Sequence, residues 1–413
     1  SRSEAPILLG WIQKLPAQIV RGRPWIDVYR ANTLALSGRL EQMEPLLDGV
    51  EQRFEPGDPG ARALLGHIAA IRAYAANLRG DAARAIEMAA LTEKYLPAGE
   101  HLNAQGLVAY ALAETHFASD DMDAAGLASL KMLRVGEKTG RLLMAIPALC
   151  DLAATRKAQG RLCQAEEAYE RARQWMVERR GLDTRVRCPY EVGLADLLRE
   201  WNQLDRAHEH AAIGIDYSQQ YGVHSLLVSA YVVLMRILQA QGDVEGALDA
   251  LRNAERTMQT YHVRLATRIE LQTTRGVQWL AAGDKETAGH CAREFGGSSE
   301  LEHIALARLR LAQGRAADAQ QLLDRQRPLA EAGGRTGRLI EILSLQALAL
   351  EAQGQPNEAG VVLSQALALA RPEGYARIFL DLGRPLYGLL ARLASVDTAS
   401  KADDAPTARI AGD

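Results

Sequence analysis

Tyr74, Tyr110, Glu114, Asp151, Asp196, Arg199, Arg236 and Arg308 carry the chemistry that this chain has to offer. Aromatic rings stack on flat or apolar faces, while carboxylates and guanidinium groups orient hydroxyls or charges, so such a set suits a sugar, a small acid or a peptide. Taken singly, each residue is as well explained by solvation or by a salt bridge between neighbouring helices. Taken together they are the candidate effector or partner site. Nothing comparable points to catalysis. His208 and His210 flank Glu209, but residues two apart point to different sides of a helix, which disfavours a metal pair. Cys150, Cys163, Cys188 and Cys291 show neither CxxC nor any other ligand spacing and read as small core residues with reduced thiols. No Ser/His/Asp or Cys/His set follows from spacing. The expectation is a binding protein, not an enzyme, with no cofactor in this segment.

A repeated helical element must position these side chains. Helix-like stretches end at residues that tolerate a left-handed backbone: Gly38, Gly80, Asp120, Gly160, Asn202, Gly242, Gly283, Gly314 and Gly354. Their spacings are 42, 40, 40, 42, 40, 41, 31 and 40 residues. A period near 40 is that of a solenoid of helix pairs. Five residues after the stop stands an alanine in every unit but the first, which has Met43. Seven residues before it stands a small residue in every unit but the sixth, which has Met235. Two small residues facing each other across a tight turn let the paired helices approach closely. Aspartates at 81, 121, 243 and 284 follow the stop and are placed to cap the next helix. On the first helix of each pair, offsets −11, −8, −7 and −4 from the stop share an apolar face that packs. Offsets −13, −9, −6 and −2, with −10 and −3 beside them, share another, and the candidate residues come from it, together with His67, Asn77, Phe117, Lys157, Glu200 and Gln239.

The chain has 413 residues, a net charge of −3 with both signs interspersed, and 5 % aromatics. Length alone suggests two or three domains, but a repeat array grows by stacking and reads as one continuous all-α unit. No basic stripe marks a nucleic-acid surface, and no direct nucleic-acid contact is expected. No signal peptide precedes the array and no run of about 18 apolar residues interrupts it, so the expectation is a cytoplasmic protein without membrane contact. The divisions read as 1–22, a remnant helix linking to a missing upstream domain; 23–394, the helical-repeat sensor domain; and 395–413, a flexible tail or linker. A serine at position 1 fits an excised fragment. The seventh unit, cut short at Gly296 and Gly297, accounts for the spacing of 31 and predicts a local bend or loosening.

The offsets of small residue, stop and alanine in "ALCDLAATRKAQGRLCQAEEAYERA", Ala148 to Ala172, resemble those of the tetratricopeptide repeat, with a longer unit. Two flanks sharpen the resemblance: Leu8 to Leu47, and "EGYARIFLDLGRPLYGLLARL", Glu373 to Leu393. Together they resemble the large bacterial LuxR-type regulators of the MalT-like kind. In that family an ATP-binding domain of the STAND class and a winged-helix connector precede a long helical-repeat domain, and a helix-turn-helix domain ends the chain. This sequence contains neither a GxxxxGK[ST] phosphate loop nor a recognisable helix-turn-helix. The resemblance therefore implies a right-handed superhelical solenoid of about nine helix pairs whose polar face lines a concave groove. It further implies an isolated sensor domain that binds a small-molecule inducer or a partner protein and takes part in self-association, with ATP bound only upstream. The alternative is a constitutive scaffold holding a peptide or protein in the groove.

Overall fold

The computed structural model describes residues 10–11, 14, 23–55, 58–97, 99–178, 186–259, 265–281, 285–293, 295 and 299–403. The expected helix within 1–22 thus lies, Gly10, Trp11 and Lys14 apart, outside the described residues. Among the described residues nine helix pairs follow one another. They are α1 (Pro24–Leu36) with α2 (Leu40–Glu51), α3 (Arg62–Arg79) with α4 (Ala82–Tyr95), α5 (Leu102–Ala118) with α6 (Met122–Thr139), and α7 (Leu142–Ala158) with α8 (Leu162–Glu178). Then come α9 (Arg187–Glu200) with α10 (Leu204–Tyr221), α11 (His224–Gln241) with α12 (Val244–Met258), and α13 (Leu265–Ala281) with α14 (Lys285–Arg293). The array ends with α15 (Glu300–Ala312) and α16 (Ala316–Ala332), α17 (Thr336–Ala352) and α18 (Pro356–Ala370), then a short α19 (Arg377–Leu380) and a long α20 (Gly383–Asp403). The last helix continues through 395–403, the first part of the expected tail, and no Gly or Pro in that stretch stops it. Residues 404–413 of that expected tail lie outside the described ones.

The turns inside the pairs form as the stop residues dictate. Every described stop has φ between 59° and 84°. In each, the amide after the stop bonds the carbonyl five residues back, as Asp81 N does to Ala76 O and Asp243 N to Leu238 O. This is the Schellman arrangement, which satisfies carbonyls that a helix end leaves open. Asp81, Asp121 and Asp243 accept from Arg84 N, Ala124 N and Gly246 N, so one residue past the stop already caps the next helix. The small residues seven before and five after the stop are buried in every pair, and no Ala or Met among them is more than 2 % exposed. The core they build falls into successive clusters along the array. One large cluster runs from α5 to α11, a second from α15 to α20, and smaller ones fill the N-terminal and sixth pairs.

Two features shape the array. In the seventh pair α14 has nine residues, and α15 packs chiefly on α13. Farther on the superhelix meets itself. Helix α17 packs on α7, and α19 packs on α9, so that one superhelical turn closes with the first helix of each pair toward the interior.

Candidate functional site

The sequence-predicted residues fall into two separate places. Tyr74 on α3 and Tyr110 on α5 stand with ring centroids 5.9 Å apart, in the wall of an N-terminal hollow of about 950 Å³. The wall is otherwise mostly apolar, with Tyr29, Ile71, Leu107, Leu142 and Met144, and His67 at its edge. Trp25 meets His67 edge-on at 4.9 Å, and His67 Nε2 lies 3.3 Å from His101 Nδ1. Burial, and the charge of His101, push the His67 imidazole down to about 4, so it is neutral near pH 7. Burial raises the Tyr74 hydroxyl, with Glu114 adding to it. Glu114 and Asp151, both half-buried, line neither this hollow nor the next.

Asp196, Arg199, Arg236 and Arg308 come together in the second hollow, of about 710 Å³, inside the closed turn. Asp196 on α9 pairs with Lys157 on α7, and its other oxygen lies 3.7 Å from both Arg199 Nε and Arg236 Nη1. Arg236 on α11 pairs with Glu270 on α13 at 3.1 Å, and Arg308 on α15 with Glu341 on α17 at 2.8 Å. Salt bridges between successive repeats, the bland alternative for single residues, are therefore what most of these charges make. Burial alone would raise Asp196, but Lys157, Arg236 and Arg199 outweigh it and hold the carboxyl well below the usual range. Burial would lower Arg236 and Arg308, yet Glu270 and Asp196 raise the first and Glu341 the second. The wall is charged near neutral pH and alternates in sign. An alternating wall offers donors and acceptors on either side of a bound polar molecule, and no side chain in it is arranged as a nucleophile with its base.

Spacing alone missed several members. Glu270 and Glu341 occupy offset −13, one repeat beyond the arginines at −6 with which they pair, so a scan for opposite charges at those two offsets would have found them. Tyr375, Arg377 and Asp381 come from the C-terminal flank, outside the repeat register, and reach the hollow because the turn closes. Asp381 accepts from Arg199 Nη1 at 2.6 Å. Among the described residues no group of three His, Cys, Asp or Glu is placed to hold a metal ion, and no helix is long and apolar enough to cross a membrane.

Fold and interior together define an all-α solenoid of tetratricopeptide-like helix pairs, a scaffold for binding. The chain belongs to the family of the MalT-like TPR region, whose model matches residues 66–396. Among solved structures it is similar to a Rap protein complexed with competence and sporulation factor, with 12 % identity, a TM-score of 0.62, and coverage of 85 % of this chain and 98 % of that one. The apo form of RapI matches at 11 % identity and a TM-score of 0.42, covering 71 % of this chain and 99 % of that one. An IFIT1 monomeric mutant with Gppp-AAAA matches at 14 % identity and a TM-score of 0.45, covering 82 % and 80 %. At such identity the Rap likeness speaks to the fold.

Proposed function

We propose that this chain is the sensor domain of a bacterial transcription regulator, which binds a small polar effector in the charged hollow and passes its occupancy to self-association. The observation that carries this reading is the hollow itself: about 710 Å³, within the size range of small-molecule sites, walled by Lys157, Asp196, Arg236, Glu270, Arg308 and Glu341. It lies where one superhelical turn meets itself, and its lining comes from pairs three to nine together with the C-terminal flank. Family membership supports the regulatory setting. The Rap solenoid, recorded with a bound factor, supports the use of such a fold as a receptor. Alternating charge favours a dipolar ligand, a sugar or an amino or hydroxy acid, over a purely apolar one. A second reading, a scaffold for a peptide or protein, draws its support from the N-terminal hollow, where Tyr29, Leu36 and Leu143 are each more than half exposed.

A thermal-shift screen of the purified protein against sugars, organic acids and amino acids, followed by calorimetry, tests the first reading. Arg236→Gln and Arg308→Gln should each weaken a hit at least about tenfold, near 1.4 kcal/mol. Unchanged affinity in both variants overturns the site. A screen without hits, paired with capture of a defined peptide in the N-terminal hollow, selects the scaffold.

A further inference from the structure

Two of the nine stop residues are not glycine, and both make bonds across the place where the turn closes. Asp120 and Asn202 hold φ of 63° and 59°, a region that costs a residue with a side chain about 1 kcal/mol or more. Asp120 accepts from Arg338 on α17 and, at 3.2 Å, from the Glu300 amide at the start of α15, while its carbonyl accepts from Arg335 at 3.3 Å. Asn202 Oδ1 accepts from Arg377 at 3.3 Å. Between them stands Gly160, where a Cβ would lie 2.8 Å from Thr336 Cβ and 2.9 Å from the Gly337 amide nitrogen. Gly337 in turn leaves no room: a Cβ there would sit 2.5 Å from Lys157 O. The stops of pairs three, four and five thus form one line on which the C-terminal pairs rest.

The rest of this seam is chiefly polar. Ile378 N donates to Glu200 Oε1 at 2.8 Å, Trp201 Nε1 to Glu373 O at 3.0 Å and Tyr375 OH to Lys157 O at 3.1 Å. Arg335 and Arg338, both under 10 % exposed, meet at Glu300. Charged groups of this kind are resolvated on separation, which makes a polar contact easier to open than an apolar core of equal area. On the chain between the two sides lies the abbreviated α14, the shortest helix among the nine described pairs.

We propose that the seam is a latch: the arm from Glu300 to Asp403 swings about the seventh pair, and the charged hollow has a complete wall only while Asp120, Gly160 and Asn202 hold the arm. Tyr375, Asp381, Gly337 and Glu341 from the arm face Lys157, Asp196 and Arg199 from the body across that hollow. A molecule touching both sides binds the closed form better and holds the latch shut, and by reciprocity the latch sets its affinity. This regulatory half rests on the effector reading above, whereas the latch does not.

Spin labels on Leu127→Cys and Val361→Cys, at sites 70 % and 61 % exposed, in a Cys163→Ser background measure the separation of body and arm without any ligand. The parent should give one narrow separation. Asp120→Gly with Asn202→Gly keeps the turn geometry and removes only the two side chains, so it should broaden the distribution and lengthen it by roughly a helix diameter, about 10 Å. Should the two residues serve the turn alone, glycine raises the melting temperature and the separation stays put, which overturns the latch. A broad separation in the parent overturns it as well. If the double variant does not fold, the parent in rising salt decides: an unchanged separation at about 1 M, where screening shortens to about 3 Å, is fatal. Label separation and calorimetry fail independently, so a wrong latch and a wrong effector site are told apart.

Discussion

Arg199 ties the charged wall together. It is fully buried, donates to Asp381 at 2.6 Å, and has Glu200 at 3.4 Å and Asp196 at 3.7 Å around the same guanidinium. A planar fork with five donors suits this position, and a lysine cannot reproduce it. Removing the cation leaves Glu200, itself 3 % exposed, and Asp381 with less compensation than their burial demands. Arg199→Met is therefore expected to cost about 3–5 kcal/mol in urea unfolding, and Arg199→Lys less. The pH dependence carries the same signature. Burial would raise Asp381, but Arg199, Arg236 and Arg377 win and lower it, as Lys157, Arg236 and Arg199 lower Asp196. A lowered folded value means stability that is present above the ordinary carboxylate pKa, about 4, and lost as pH falls through the lower folded values. Thermal melts below pH 4 should then fall more steeply for the parent than for Arg199→Met; parallel curves contradict this account of Asp381.

At the scale of the helix pair, the stop residues separate two costs that a glycine can hide. Gly242 has φ of 84° and nothing within 4 Å of where a Cβ would stand, so Gly242→Ala meets only the left-handed penalty, about 1–2 kcal/mol. Gly160 has nearly the same φ, 80°, but its missing Cβ makes room for Thr336 and Gly337. Gly160→Ala should lower the melting temperature further than Gly242→Ala and enlarge the radius of gyration in solution scattering. Equal losses with equal radii would show that the close approach at Gly160 is not needed. The pair itself was legible in the sequence, since a left-handed stop, small residues at fixed offsets and a capping aspartate are local and repeat. That legibility extended to Asp196, Arg199, Arg236 and Arg308, which sit on one helix face and in one hollow. Glu114 and Asp151 come from the same helix face, at offsets −6 and −9, yet line neither hollow. The roles of Asp120 and Asn202 were likewise hidden: a stop residue with a side chain reads as a tolerated glycine substitute until α17 and α19 are seen arriving beside it.

For the whole molecule, the decisive property is that a solenoid normally couples each repeat only to its neighbours, whereas this one also couples pairs three to five to the eighth and ninth pairs and to α19. A linear array unfolds from its ends and through its weakest joint. Here the joint that the seam spans is the seventh pair, with its nine-residue α14, and among the described residues the two sides of that joint meet directly at the seam. Closure should therefore make α7, α9, α15 and α17 open as one unit in native-state hydrogen exchange, with a shared opening free energy. Removing the Asp120 and Asn202 side chains takes away hydrogen bonds to Arg338 and Arg377, each worth about 1.5–3 kcal/mol when a charged partner is involved. The arm helices α15 and α17 should then exchange through a separate, lower-energy opening, while α7 and α9 keep most of their protection through α8 and α10. High salt should move the parent in the same direction, because buried ion pairs at Glu300 become reachable by counterions only as the seam opens. Exchange that already proceeds separately in the parent, or that stays joint in the double variant, would show that the ends are neighbours in space without being coupled in energy.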